Sequence, residues 1–257
     1  MLTALTRKVS PSFASCQLEY LKRDPIDVAR ASAQHRDYEA ALERLGVRVV
    51  SLPAEPDLPD CVFVEDPAVV LDEIAIITRM GAESRRGESE SLAAALARFR
   101  PLVRLSAPAT LEGGDVVRMG KTLYVGLSRR TNAAGARQLA EIVEPYGYLV
   151  APINVTGCLH LKSACCAVSD DMVLSNRALF DASELGCEVI DVPAEEPGAA
   201  DVLRIGNTVL IPAVFPRTAR LLEESGFTVQ PLDVSELQKA EAGVTCMSLV
   251  FEDGGRD

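Results

Sequence analysis

Apolar and polar positions recur in a fixed order along the chain, and the clearest case is a pair of segments. Asp115–Val125, DVVRMGKTLYV, and Asp201–Ile211, DVLRIGNTVLI, are offset by 86 residues and share five of eleven positions. Each is predicted to form a strand, a two-residue turn at Gly120-Lys121 or Gly206-Asn207, and a second strand. An Arg-Thr step follows both, at Arg130-Thr131 and Arg217-Thr218, offset by 87, and each opens an amphipathic helical segment. Strand–turn–strand–helix text looks alike in any α/β protein. Two nearly equal offsets favour a true repeat.

Two weaker copies fall around this pair. Val62–Thr78 reads as a hairpin around Asp72-Glu73, followed by a helix over Ser89–Phe99. Leu159–Ser175 reads as a hairpin around Ser169-Asp170-Asp171, followed by NRALFDASELG. The landmarks Glu65, Asp115, His160 and Asp201 are 50, 45 and 41 residues apart. Such a period predicts units that stack to bury their apolar faces. A fifth unit would combine the C-terminal run Val244–Phe251 with the N-terminal run Leu2–Val9, so that both termini close a ring. Between them, Val28, Ala31, His35, Tyr38, Leu42 and Leu45 recur at spacings of three and four. This predicts a helix over Asp27–Leu45, stopped at Gly46, and a strand at Val47–Leu52. The breaker-rich Val192–Asp201 is read as a loop, and the chain as one domain.

Composition narrows the class. Of 257 residues, 48% are hydrophobic and 25% charged, which fits a soluble globular protein. No apolar run reaches the length of a membrane span, and the first residues lack the apolar centre of a secretory signal. The net charge of −11 argues against nucleic acid as a partner and is compatible with a cationic small molecule. Seven cysteines, an odd number with no C-x-x-C, argue against a disulfide framework and for a reducing cytoplasm.

Several residues could carry chemistry. His35 lies on the apolar helical stripe and reads as a packed core residue. His160, in CLHLKS, is either a structural histidine at the start of a hairpin or a proton carrier facing a shared centre. Glu65 and Asp66 adjoin in an otherwise apolar strand, with Asp60 upstream. Burying them requires partners, either a cationic ligand or an arginine of a neighbouring unit. Glu112 and Asp115 flank two glycines, a pattern that alone reads as a turn. Arg85 and Arg130 lie in SRRG and SRRT and suit either a carboxylate grip or a solvated surface. Cys246, in GVTCMS and entering a terminal strand behind Gly243, is a core thiol or a nucleophile, and in the second case His160 is its best partner. The ligand-type residues show no zinc spacing, so no metal is expected.

Taken together, PDCVFVEDPAVV, ITRMGAESRRGE, LEGGDVV, YVGLSRRTN, LHLKS, PRTARLLEESGF and the SEL–GVTCMS tail resemble the dimethylarginine dimethylaminohydrolases of the guanidino-group-modifying superfamily. They span residues 59–251 in the family's order. The resemblance implies a pentein fold, a single-domain α/β propeller of five pseudo-symmetric units around a central active-site channel. It also implies hydrolysis of Nω-methylated L-arginine to L-citrulline and dimethylamine or methylamine, with no cofactor. The matching motifs make Cys246 the nucleophile, His160 the acid/base and Glu112 its orienting carboxylate. Asp66 would bind the guanidinium, Asp60 and Glu65 would support the site, Arg85 and Arg130 would hold the α-carboxylate, and Leu18 would lie in a mobile N-terminal lid. Some relatives carry Asp where Glu112 stands, which keeps the carboxylate and changes its reach.

The implied reaction explains the residue types. A protonated guanidine keeps its carbon electrophilic and favours a nearby thiolate. Attack and loss of the amine leave an S-alkylthiouronium, which water then cleaves. Alternatives are a superfamily member acting on arginine or another guanidine, and a non-catalytic guanidine-binding relative. The expected partner is a small-molecule substrate, with no nucleic acid and no membrane. The sequence leaves monomer and homodimer open.

Overall fold

Five small sheets account for the strands in the computed structural model, which describes residues 1–254. The chain opens with β1 (Leu2–Arg7), crosses through α1 (Val28–Arg44) and returns parallel to β1 as β2 (Arg48–Leu52). The Asp27 carboxylate caps α1 by accepting the Arg30 N–H at 3.0 Å, and Leu45 is its C-cap. The two outermost residues of the predicted helix are therefore its caps.

The second module is the antiparallel pair β3 (Ala68–Val70) and β4 (Ala75–Ile77), then α2 (Glu88–Leu96) and β5 (Leu102–Arg104), parallel to β4. The third repeats it with β6 (Val116–Met119), β7 (Thr122–Leu127), α3 (Ala133–Val143) and β8 (Leu149–Asn154). The fourth starts with one helical turn, α4 (Leu161–Ala164), followed by β9 (Cys165–Ala167), β10 (Met172–Ser175) and β11 (Glu188–Asp191). The fifth consists of β12 (Leu203–Ile205), β13 (Thr208–Pro212), α5 (Pro216–Glu224) and β14 (Thr228–Leu232). After the short α6 (Ser235–Gln238), β15 (Leu249–Glu252) pairs antiparallel with β1 and completes the first module from the other end of the chain. The expected joining of the two termini is thus observed. In the sequence-matched hairpins, Gly120 and Gly206 take φ of +56° and +60° at the first turn position, the glycine place of a II′ turn.

Burial explains why the modules close into a ring. Each of five apolar clusters spans a boundary between neighbouring modules. Successive side chains of one strand point to opposite faces and so serve different boundaries. Val116 enters the cluster shared with the second module, and Val117 the one shared with the fourth. Leu210 joins the cluster shared with the first module, while Val209 and Ile211 join the one shared with the fourth. A strand buried on both faces reads as a continuous apolar run, as these do.

Three expectations need correction. Glu65 and Asp66 are not in a strand. Residues 61–67 form successive turns, in which Phe63 N–H donates to the Asp60 carbonyl and Val64 N–H to that of Val62, and pairing begins only at Ala68. His160 does not start a hairpin either. Its backbone is extended (φ −136°, ψ 162°), but it is the N-cap of α4, so strand alternation does not set its direction. Cys246 precedes β15 rather than entering it. The fourth module also carries only a short 3-10 turn, Ala182–Leu185, where the others have a helix. Among the described residues, no helix is long and apolar enough to cross a membrane.

Candidate active site

The candidate residues share one place in the fold, the segment just before each module's first strand. These heads carry Glu65 and Asp66 before β3, Glu112 to Asp115 before β6, and His160 to Lys162 before β9. Asp201 precedes β12, and Thr245 and Cys246 precede β15. Neighbouring heads are bonded to one another. Glu65 N–H donates to the Cys246 carbonyl at 3.2 Å, and Gly113 N–H to the Asp66 carbonyl at 2.9 Å. Leu161 N–H donates to Asp115 Oδ1 at 2.9 Å, and Thr245 N–H to Asp201 Oδ1 at 3.0 Å. Residues remote in sequence therefore meet at the axis.

His160 lies between two carboxylates. Its Nε2 is 2.8 Å from Glu112 Oε2, and its Nδ1 is 3.8 Å from Asp66 Oδ1. The glycine pair of LEGGD permits this approach, because a Cβ on Gly114 would sit 2.6 Å from His160 Nδ1 and 2.8 Å from Asp66 Oδ1. Burial opposes charge on the imidazole, but Asp66 and Glu112 outweigh it and raise the pKa to about 9. The ring is an imidazolium at neutral pH. Burial likewise opposes charge on Glu112, and the His160 hydrogen bond and neighbouring cations bring its pKa below the usual range.

Cys246 lines the same cavity as His160, Asp66 and Asp60. Burial first, then Asp201, Glu65 and Asp66, push its thiol well above the ordinary range, so the resting thiol is neutral. Its Sγ is 3.8 Å from Asp201 Oδ2. Burial, reinforced by Glu65, raises Asp201 to about 6. Glu65 itself pairs with Lys162 and accepts the Thr245 hydroxyl at 2.9 Å. This ion pair borders both the Cys246 cavity and a separate cavity of about 340 Å³, which the first strands of the modules line.

Both candidate arginines are buried and paired within the protein. Arg85 donates to Asp66 Oδ2 at 2.7 Å and, through two nitrogens, to Glu88 at 3.0 and 2.9 Å. Arg130 donates to Glu112 at 3.1 Å and, through Nε, to Glu19 at 2.6 Å. Glu19 belongs to an N-terminal segment lying over the cavity. Gln17 N–H bonds the Asp60 carboxylate at 3.1 Å, and the Glu241 carboxylate accepts the N–H groups of Glu19, Tyr20 and Leu21. Leu18 packs against the cluster between the fifth and first modules, and its neighbour Gln17 lines the cavity instead. The space left is about 20 Å³, enough for about one water.

Sequence reasoning assigned no role to Glu19, Lys162, Glu88, Asp115 or Asp201. The last two were visible as matched repeat positions, a signal of their shared location. Oxygens of Asp66 and Glu112 and a nitrogen of His160 lie within 4.8 Å of one another, a set that could hold a metal ion. Arg85 and Arg130 already engage both carboxylates, so a cation would compete with two guanidinium groups.

A family model described as N,N dimethylarginine dimethylhydrolase, eukaryotic, matches residues 15–195. An N(G),N(G)-dimethylarginine dimethylaminohydrolase of Streptomyces coelicolor is 41% identical over 247 residues, covering 96% of this chain and 95% of its own. The Pseudomonas aeruginosa protein of the same name is 39% identical over 228 residues, covering 88% and 90%. A Pseudomonas aeruginosa structure, a cysteine-to-serine variant complexed with citrulline, superposes with a TM-score of 0.93 at 36% identity, covering 97% of this chain and 98% of that one. The N-terminal domain of the cyanobacterial arginine dihydrolase ArgZ shares the fold, with a TM-score of 0.90 at 19% identity, covering 98% of each chain.

Proposed function

The chain belongs to the dimethylarginine dimethylaminohydrolase family, and from that premise we propose that it hydrolyses Nω-methylated L-arginine to L-citrulline and dimethylamine or methylamine. One observation carries this reading. His160, set between the carboxylates of Glu112 and Asp66, borders the same cavity as Cys246, whose Sγ lies 3.8 Å from the Asp201 carboxylate. Such a site suits a cationic substrate, whose charge offsets the carboxylates beside the thiol.

The substrate's guanidinium supplies that charge. Held by Asp66, it offsets the carboxylates that oppose ionisation of Cys246, and the thiol proton leaves to solvent. The thiolate adds to the guanidinium carbon, and His160 gives its proton to the departing dimethylamine nitrogen. The carbon–nitrogen bond breaks, leaving an S-alkylthiouronium on Cys246. Neutral His160 then takes a proton from water. The hydroxide adds to the same carbon, the carbon–sulfur bond breaks, and the added hydroxyl gives up its proton to solvent, so that citrulline forms with thiolate and imidazolium restored; Cys246 takes up a proton again once the cationic substrate site is empty. Glu112 positions His160 and supports its charged form.

The amino-acid end of the substrate meets Asp60, Arg85 and Arg130. Glu19 supports this assignment for Arg130, because it presents a carboxylate to that guanidinium beside the cavity. A cavity of about 20 Å³ requires the segment around Leu18 and Glu19 to move before substrate enters. Glu65 supports the site through its pair with Lys162. The reaction uses no cofactor or metal and is placed in the cytoplasm, where thiols stay reduced. The domain acts as a single catalytic unit, alone or as a homodimer.

Reduced, metal-free protein incubated with asymmetric dimethylarginine should release citrulline and dimethylamine in equal amounts. Mass spectrometry should trap a substrate-derived adduct on Cys246. No citrulline from methylarginines, or higher kcat/KM for arginine or another guanidine, would overturn the assignment.

A further inference from the structure

Two buried aspartates take no part in the reaction as written, yet they occupy matched positions in the sequence repeat. Asp115 heads the third module and Asp201 the fifth, 86 residues apart. Asp115 accepts the N–H of Leu161, the residue after His160, at 2.9 Å and the Ser128 hydroxyl at 2.6 Å. Asp201 accepts the N–H of Thr245, the residue before Cys246, at 3.0 Å, and its Oδ2 lies 3.3 Å from the Thr245 hydroxyl oxygen, whose proton goes to Glu65. Each therefore reaches forward one module around the ring and holds the backbone beside a reacting side chain. The second contact depends on a glycine, since a Cβ on Gly243 would fall 2.0 Å from the Asp201 carboxyl carbon.

We propose that Asp115 and Asp201 are paired positioning residues, holding the His160 and Cys246 segments through repeat-related carboxylate–backbone contacts, and that Asp201 also tunes ionisation of the Cys246 thiol. This deepens the proposed hydrolase function and rests on it for the roles of His160 and Cys246. The asymmetry comes from what each carboxylate faces. Asp201 Oδ2 is 3.8 Å from Cys246 Sγ, and Glu65, Lys162, Tyr38 and Cys166 are its other charged or titratable neighbours. Of these only Lys162 is a cation, and it is paired with Glu65; Cys246 itself also faces Asp66, and the cations His160, Arg85 and Arg130, each already paired with a carboxylate, line its cavity. An ionised Asp201 therefore disfavours a thiolate beside it, whereas an amide in its place would keep the Thr245 contact and remove the charge.

Asp201→Asn and Asp201→Ala separate the two effects. Iodoacetamide alkylation of the Cys246 peptide, followed by mass spectrometry without substrate, should show its pH midpoint about one unit lower in Asp201→Asn, about tenfold faster labelling at a fixed pH below that midpoint. Asp201→Ala, which loses the grip, should lower kcat by tenfold or more with KM little changed, and Asp201→Asn should restore most of it. Asp115→Ala should likewise lower kcat, rescued by Asp115→Asn, without moving the Cys246 midpoint. An unchanged or higher midpoint in Asp201→Asn overturns the tuning role. Alanine variants with wild-type kcat overturn the positioning role. If an alanine variant does not fold, the asparagine series decides: a lower midpoint for Asp201→Asn alone supports the proposal, and equal midpoints in both overturn it. Alkylation needs no substrate, so absence of citrulline from the wild type would defeat the hydrolase reading while leaving this test intact.

Discussion

The protein has two histidines, both almost fully buried, and their surroundings leave one neutral and the other charged. His35, 2% exposed, lies on the inward face of α1, with its ring 6.1 Å from that of Tyr38 and Nδ1 3.8 Å from Glu39. Its Nε2 has no hydrogen-bond partner among the described residues. Burial lowers its pKa, with Glu39 opposing only in part, and it stays neutral. His160, 4% exposed, has Glu112 at 2.8 Å and Asp66 near its other nitrogen, and its pKa rises to about 9. Depth alone does not set the charge of a buried imidazole. The number and placement of carboxylates around it do, because desolvation and ion pairing act in opposite directions.

The largest expected effect tests which histidine does chemistry. His160→Gln should reduce citrulline formation by about 10²–10⁴-fold, whereas His35→Gln should leave kcat/KM within about threefold in the same assay. Comparable losses in both would erase the distinction. Next, Glu112→Gln removes the closest carboxylate from His160. Its titration, followed by NMR, should move from about 9 toward the ordinary 6.5, and kcat should fall by tenfold or more. A midpoint that stays near 9 would assign the shift to Asp66 and Asp115 instead.

Stability against pH should separate the histidines again, with opposite signs. The folded state holds His160 at about 9 against about 6.5 unfolded. It therefore contributes about 3 kcal/mol below pH 6.5, lost as pH rises through 9. His35 is shifted down, so it costs nothing above about 6.5 and destabilises the fold as pH falls below that value. Urea titrations should show a flattened alkaline slope in His160→Gln and a flattened acid slope in His35→Gln. The smallest effect concerns the outer end of the His160–Glu112–Arg130–Glu19 chain. Glu19→Gln should weaken the hold on Arg130 and lower KM by about two- to fivefold, leaving kcat and the His160 titration unchanged. A raised KM would instead make Glu19 part of substrate binding.

Much of the fold was legible because the module pattern is local. A glycine turn between apolar runs and a three–four stripe each need only neighbouring residues, and the repeat of DVVRMG in DVLRIG fixed their order. Legibility failed where a backbone segment serves the axis. Glu65 and Asp66 sit among valines and look like strand, yet their partners are Lys162, Thr245 and Arg85, between 19 and 180 residues away. The candidate residues stand out in the sequence by type, but their pairings do not. Arg85 and Arg130 looked free for a ligand and are engaged by Glu88, Glu112 and Glu19.

The sequence by itself determined five strand-rich units, their closure by the two termini, and the thiol, imidazole, acids and guanidiniums available. Only the tertiary structure decided which of these touch, and with that the charges of His160 and Cys246 and the small space beside them. The reason is that periodicity and turn chemistry act over a few neighbouring residues. The energy of a buried charge instead depends on distances of 3–4 Å between segments whose separation along the chain leaves no local trace.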